Sequence, residues 1–141
     1  MQIKNESMTF WKLISSYKIR IPKYQRDYVQ GNYGRVCKKL LNDIKISIID
    51  NKKIDLGFVY GSVKNDYFEP IDGQQRLTTL FLIYVYFFVL TKDFTNLDIL
   101  INNFDYQTRI TSSRFFKSLA GMINYNVGCS ISEFVKNAEW Y

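Results

Sequence analysis

From Leu77 to Leu90 the chain runs for 14 residues without a charged side chain, and this stretch constrains the fold more than any other. It is longer than an ordinary strand of about five or six residues and shorter than the roughly 18 to 20 needed to span a bilayer. It therefore reads as a buried helix, apolar around its circumference and central to the core. Immediately before it stand Asp72, Gly73, Gln74, Gln75 and Arg76, and before those the short extended segment Tyr67 to Ile71. The polar cluster thus lies at a strand-to-helix junction. There the first helical N–H groups lack partners within the helix, Gly73 lets a ligand approach the backbone, and Arg76 adds a planar fork for phosphate oxygens.

A chain of 141 residues with 47% apolar and 17% aromatic content is sized for one domain with one core, and is not a disordered or low-complexity chain. The N-terminus carries Lys4 and Glu6 ahead of a mixed stretch and lacks the apolar run and cleavage site of a signal peptide. With no membrane span expected either, a cytoplasmic location follows as the expectation. Cys37 and Cys129 are far apart and have no C-x-x-C spacing, so they imply neither a zinc site nor a disulfide framework. The chain has no histidine at all. Histidine-dependent triads, histidine-ligated zinc and histidine-metal nucleases are excluded, which leaves Asp, Glu, Arg, Lys, Tyr or a bound metal to carry any chemistry.

The net charge of +6 is unevenly placed. Residues 1 to 64 hold 13 Lys or Arg against 5 Asp or Glu, whereas residues 65 to 141 hold 6 against 8. A basic N-terminal half fits a phosphate-bearing partner, nucleotide or nucleic acid, and equally a solvated lysine-rich surface.

Along the chain, Phe10, Leu13 and Ile14 have helical spacing behind a Ser7 cap, and Tyr17 to Ile21 alternates as a strand with Tyr17, Ile19 and Ile21 inward. After Pro22 comes a loop rich in tyrosine and polar groups that closes at Gly34. Val36, Leu40, Leu41, Ile44 and Ile48 form one stripe of an amphipathic helix from Arg35 to about Asp50. Leu56 to Val63 and Tyr67 to Ile71 read as a hairpin joined by Lys64, Asn65 and Asp66. A short helix through Ile101 precedes an extended Phe104 to Arg109, and two further helices follow, one from Ser112 or Ser113 to Met122 and one behind the capping box at Ser130 to Glu133. The chain stops at Trp140 and Tyr141 without a helix stop signal, which reads as truncation. The expected architecture is an α+β domain with a small mixed sheet, a strand-to-helix phosphate-binding junction and a helical C-terminal part.

Two segments, Ile21-Pro22-Lys23-Tyr24-Gln25-Arg26-Asp27-Tyr28 and Asp72-Gly73-Gln74-Gln75-Arg76-Leu77-Thr78-Thr79-Leu80, resemble in content, order and spacing the N-terminal domain of GmrSD-type restriction endonucleases. Phe104 to Phe116 is similar to that family's aromatic-Thr-Arg-Ser-Ser stretch, so the likeness covers most of the chain. The resemblance implies a ParB- and sulfiredoxin-like domain, and nucleotide binding and hydrolysis coupled to DNA restriction in prokaryotic defence. Two departures stand out. Val29-Gln30-Gly31 follows the first motif where many members carry an aromatic, and the HNH-type nuclease module of full-length members needs histidine, which this chain lacks.

With the resemblance in place, Asp72 has two readings: an N-cap for the core helix, or a Mg²⁺ ligand and water-orienting base beside a triphosphate. Arg76 is a phosphate ligand with a catalytic role, or the ion-pair partner of Asp72 or Glu69. Gly73, Gln74, Gln75 and Thr78 are candidate phosphate contacts, although Thr78 equally back-bonds to its own helix. Tyr24, Gln25 and Arg26 would bring a base-stacking ring and a second cation to complete a clamp. Arg109 and Arg114 are further candidate cations, for which a structural or surface role is the favoured reading. The expected function is NTP binding with Mg²⁺-dependent hydrolysis, with a nuclease module or subunit as a further partner. The alternatives are a ParB-like module that binds or nicks DNA through the basic N-terminal half, and a truncated, non-catalytic remnant.

Overall fold

Thr9, not Ser7, opens the first helix. In the computed structural model, which describes residues 6–23, 34–107, 114 and 118, helix α1 spans Phe10–Ser16 and Thr9 Oγ1 accepts the Lys12 N–H at 3.1 Å. A capping hydroxyl reaches the third residue ahead, and Ser7 stands too early to do so. Tyr17 ends α1 as its C-cap and so falls outside strand β1, Lys18–Ile21, whose Ile19 and Ile21 are completely buried.

Helix α2 occupies Gly34–Ile49, strand β2 Tyr60–Lys64 and strand β3 Tyr67–Asp72. Asn65 and Asp66 both take positive φ, 48° and 65°, as a two-residue turn matching the right-handed twist of a hairpin requires. The hairpin is shorter than its sequence pattern implies, because Leu56 to Val59 is not strand. Asp55 Oδ1 accepts the Gly57 N–H at 2.8 Å, and the Leu56 and Phe58 carbonyls bond to Arg76. Carbonyls so engaged are not offered to a β-ladder.

The sheet order is β2-β3-β1-β4, with β4 at Phe104–Tyr106. Strand β1 is central and runs parallel to both neighbours, pairing Lys18 with Tyr67 and Ile21 with Tyr106, while β2 is antiparallel to β3. The described residues thus form an α+β fold around a small mixed sheet. Helix α3, Gln74–Thr91, and helix α4, Leu97–Asn102, connect β3 to β4 across β1.

The core lies between one face of the sheet and α1, α3 and α4. Leu77, Phe81 and Val85 repeat at four-residue spacing along α3 and meet Ile14, Ile19, Ile21, Leu97, Leu100, Phe104 and Tyr106; the Phe81 and Phe104 rings stack at 4.5 Å. Each such side chain contributes about 1.5–3 kcal/mol on burial, so this face dominates the stability. The expectation of an α3 buried all round is corrected: Tyr86, Phe87 and Leu90 are exposed, since a helix on one side of a four-stranded sheet meets it with one face. Helix α2 keeps its amphipathic pattern, yet Leu41 and Ile48 of its apolar stripe are exposed. No helix among the described residues is long and apolar enough to cross a membrane. The helices expected after Ser112 lie outside the described residues, apart from Arg114 and Ser118, which are helical.

Candidate functional site at the carboxyl edge of the sheet

Because β1, β3 and β4 are parallel, their carboxyl ends share one edge of the sheet. Strand β1 leaves that edge at Ile21 and leads through Pro22 toward residues 24–28. Strand β3 delivers Asp72 to Gly73 and α3, and β4 leads through Gln107 toward Arg109. The topology therefore places the starts of both motif segments at a single edge, the position where open sheets with parallel strands bind ligands. Tyr24, Gln25, Arg26 and Arg109 lie outside the described residues.

Within the second motif, the N-cap of α3 is Gly73, with φ 85° and no side-chain cap hydrogen bond. Asp72 is therefore not the cap: it is the last residue of β3, and the left-handed turn at Gly73 carries the helix away from its carboxylate. Gly73 is required twice over. Its φ is one that L side chains avoid, and a Cβ there would stand 2.7 Å from Val59 Cγ2.

Arg76 is the hub. Its Nη1 donates to Leu56 O and its Nη2 to Phe58 O, both at 2.6 Å, and Nη2 also reaches Asp72 Oδ2 at 3.3 Å. The two carbonyl bonds are short. The carboxylate contact is longer than the roughly 2.7–2.9 Å of a strong charge-assisted bond, and the Asp72 side chain is 58% exposed, so solvent weakens the pair. Arg76 is thus held firmly to the 56–58 loop and loosely to Asp72.

Thr78 is 1% exposed and donates to Gln74 O at 2.8 Å, and Thr79 repeats the pattern onto Gln75 O. Both hydroxyls are spent on their own helix. Gln74 and Gln75 are half-buried in its first turn. The 55–59 loop is the part of the site that hydrophobic patterning passes over; its signal in the sequence is Asp55-x-Gly57, the composition of an Asx turn.

Among the described residues no group of three or more His, Cys, Asp or Glu stands together as a metal cage. A lone, accessible carboxylate such as Asp72 instead fits Mg²⁺ that arrives with phosphate, since that ion is commonly held by one or two carboxylates and the phosphate oxygens themselves.

Comparison with curated proteins and with solved structures returns no match. The family profile described as GmrSD restriction endonuclease, N-terminal domain, matches residues 10–138. That span takes in every described strand and helix together with both motif segments, and on it this chain belongs to the family of GmrSD restriction endonuclease N-terminal domains.

Proposed function

We propose that the domain binds a nucleoside triphosphate at the carboxyl edge of its sheet and, with Mg²⁺, hydrolyses it. Family membership sets the chain in the context of DNA restriction and phage defence. The observation that carries the finer reading is the arrangement of Asp72, Gly73 and Arg76 at the edge where the strand leading to Arg26 also ends. Phosphate oxygens lie against the first turn of α3, where the helix dipole favours negative charge, while Gly73 itself is covered by Val59. Phosphate oxygens would take the place of Asp72 on Arg76 Nη2, and the released Asp72 carboxylate would be the residue to hold the metal ion and to orient the attacking water. Mg²⁺, when bound, neutralises charge developing on the phosphates. Throughout, Arg76 keeps its bonds to the Leu56 and Phe58 carbonyls.

Titration of the chain with each ribonucleoside triphosphate, followed by measurement of phosphate release with and without DNA, tests this reading. Saturable, triphosphate-selective binding that weakens about tenfold or more in both Arg76→Ala and Arg26→Ala is expected, a loss on the scale of one charge-assisted phosphate contact. Equal affinity in wild type and both variants rejects it.

Exposed Lys38, Lys39 and Lys45 on α2 favour a second reading, attachment to the DNA backbone. Its mark is sequence-independent affinity that falls steeply with salt and does not depend on Arg76.

A further inference from the structure

The loop from Asp55 to Val59 is built to hold one aromatic ring in solvent. Phe58 is 80% exposed, the most exposed of the large apolar side chains among the described residues. Its backbone, by contrast, is fixed on several sides. Asp55 Oδ1 bonds the Gly57 N–H, Gly57 sits at φ 81°, and Arg76 donates to the carbonyls of Leu56 and Phe58. Val59, next along, packs against the core and against Gly73. Holding a loop this firmly while leaving its phenyl ring in water is costly in apolar exposure, and no ring among the described residues stacks on Phe58.

We infer that Phe58 is the stacking platform for the nucleobase of the nucleotide whose phosphates lie at residues 72–76. The inference rests on the triphosphate reading above and adds to it the part of the ligand that the motif does not touch. Arg76 ties the two halves of the site together: one guanidinium faces the helix mouth and carries the loop that bears the ring. Tyr60, paired directly with Asp72 across the hairpin, is 58% exposed and puts a second accessible aromatic at the same strand end as Asp72. Stacking on a fixed aromatic is tolerant of base identity because every base has a π-face, and a ring immobilised in advance loses little entropy on binding. The ligand class is therefore any purine or pyrimidine nucleoside triphosphate, with the purines, which have the larger ring face, bound more tightly.

The test compares ATP, CTP and inorganic tripolyphosphate by calorimetric titration on wild type, Phe58→Ala and Phe58→Trp, with melting curves to verify that the variants are folded. Removal of the ring should weaken both nucleotides about tenfold, within the range measured for single base-aromatic stacks, and leave tripolyphosphate unchanged, whereas Phe58→Trp should keep or tighten nucleotide binding. Unchanged nucleotide affinity in Phe58→Ala overturns the inference and leaves the triphosphate site standing, including the case in which that variant loses self-association or a protein partner instead. Equal losses for nucleotide and tripolyphosphate also overturn it, since Phe58 would then act through the loop and not through its ring. Failure of wild type to bind either ligand removes both readings together.

Discussion

A Cβ added to Gly57 would stand 2.7 Å from Nη1 of Arg76. The glycine lets the guanidinium lie against the loop backbone and at the same time supplies a left-handed φ of 81°. Gly57→Ala should lower stability by about 2 kcal/mol, from backbone strain of about 1–2 kcal/mol and the displaced Arg76 bonds. In an Arg76→Ala background the steric part vanishes, so the same glycine substitution should cost less. Urea melts of the double-mutant cycle measure the difference; strictly additive losses would show that the two residues do not meet.

Asp72 separates charge from shape. Its pair with Arg76 is long and its side chain largely exposed, and such pairs are worth about 0–1 kcal/mol. Asp72→Asn should therefore melt within about 1 kcal/mol of wild type while Mg²⁺-dependent phosphate release is lost. A variant that turns over as fast as wild type would strip Asp72 of the catalytic assignment and leave it a neighbour of Arg76.

Far from the site, Asn103 fastens the N-terminal elements to the rest. Its Nδ2 donates to Ile14 O at 2.9 Å, and its own carbonyl accepts the Ile19 N–H at 2.7 Å. Asn103→Ala removes only the side-chain bond and leaves a half-buried carbonyl unpaired, a loss of about 1–2 kcal/mol. Thermal unfolding should show a lower Tm with nucleotide affinity unchanged, and a simultaneous loss of affinity would count against separate roles.

Tyr84 packs beside Phe10 and stacks on Trp11 at 5.5 Å, and burial raises its pKa above the ordinary 10.0. A group whose folded pKa is raised contributes stability that is complete below the unfolded value and is lost as pH climbs through the folded one. Stability should fall above about pH 10, and Tyr84→Phe should flatten that decline. At the other extreme, bonds from Thr95 hold Asp93 below the usual carboxylate value, so its contribution is present above that value and disappears in acid. Trp fluorescence followed through alkaline titration reads the first effect; identical profiles in wild type and Tyr84→Phe would assign the alkaline loss elsewhere.

Periodic segments could be read from sequence, and segments shaped by contacts from afar could not. Ile19 and Ile21, Leu77 and Phe81, and the turn at Asn65 and Asp66 all follow from spacing and local chemistry, and the structure has them where the pattern implies. Leu56 to Val59 has the composition of a strand. What denies it a ladder is Arg76, 20 residues further along the chain than Leu56, and no window over residues 56–63 contains that information. Asp72 illustrates the same limit at short range. It has the residue type and position of an N-cap, yet a left-handed φ at Gly73 moves the cap by one residue. The motif itself was legible as a junction; that its arginine also serves as a strut for a neighbouring loop depends on the fold.

The place of β1 in the middle of the sheet has a consequence for synthesis. The strand emerges first from the ribosome, but its partners are Tyr67 and Phe68 on one side and Phe104 to Tyr106 on the other. Closing long chain segments before their contacts form slows folding. The β2–β3 hairpin needs no distant partner and can assemble early, whereas β1 waits with both edges bare until β3 has been translated and with one edge bare until β4 follows. During that interval the nascent chain is a client for chaperones and a template for mispairing.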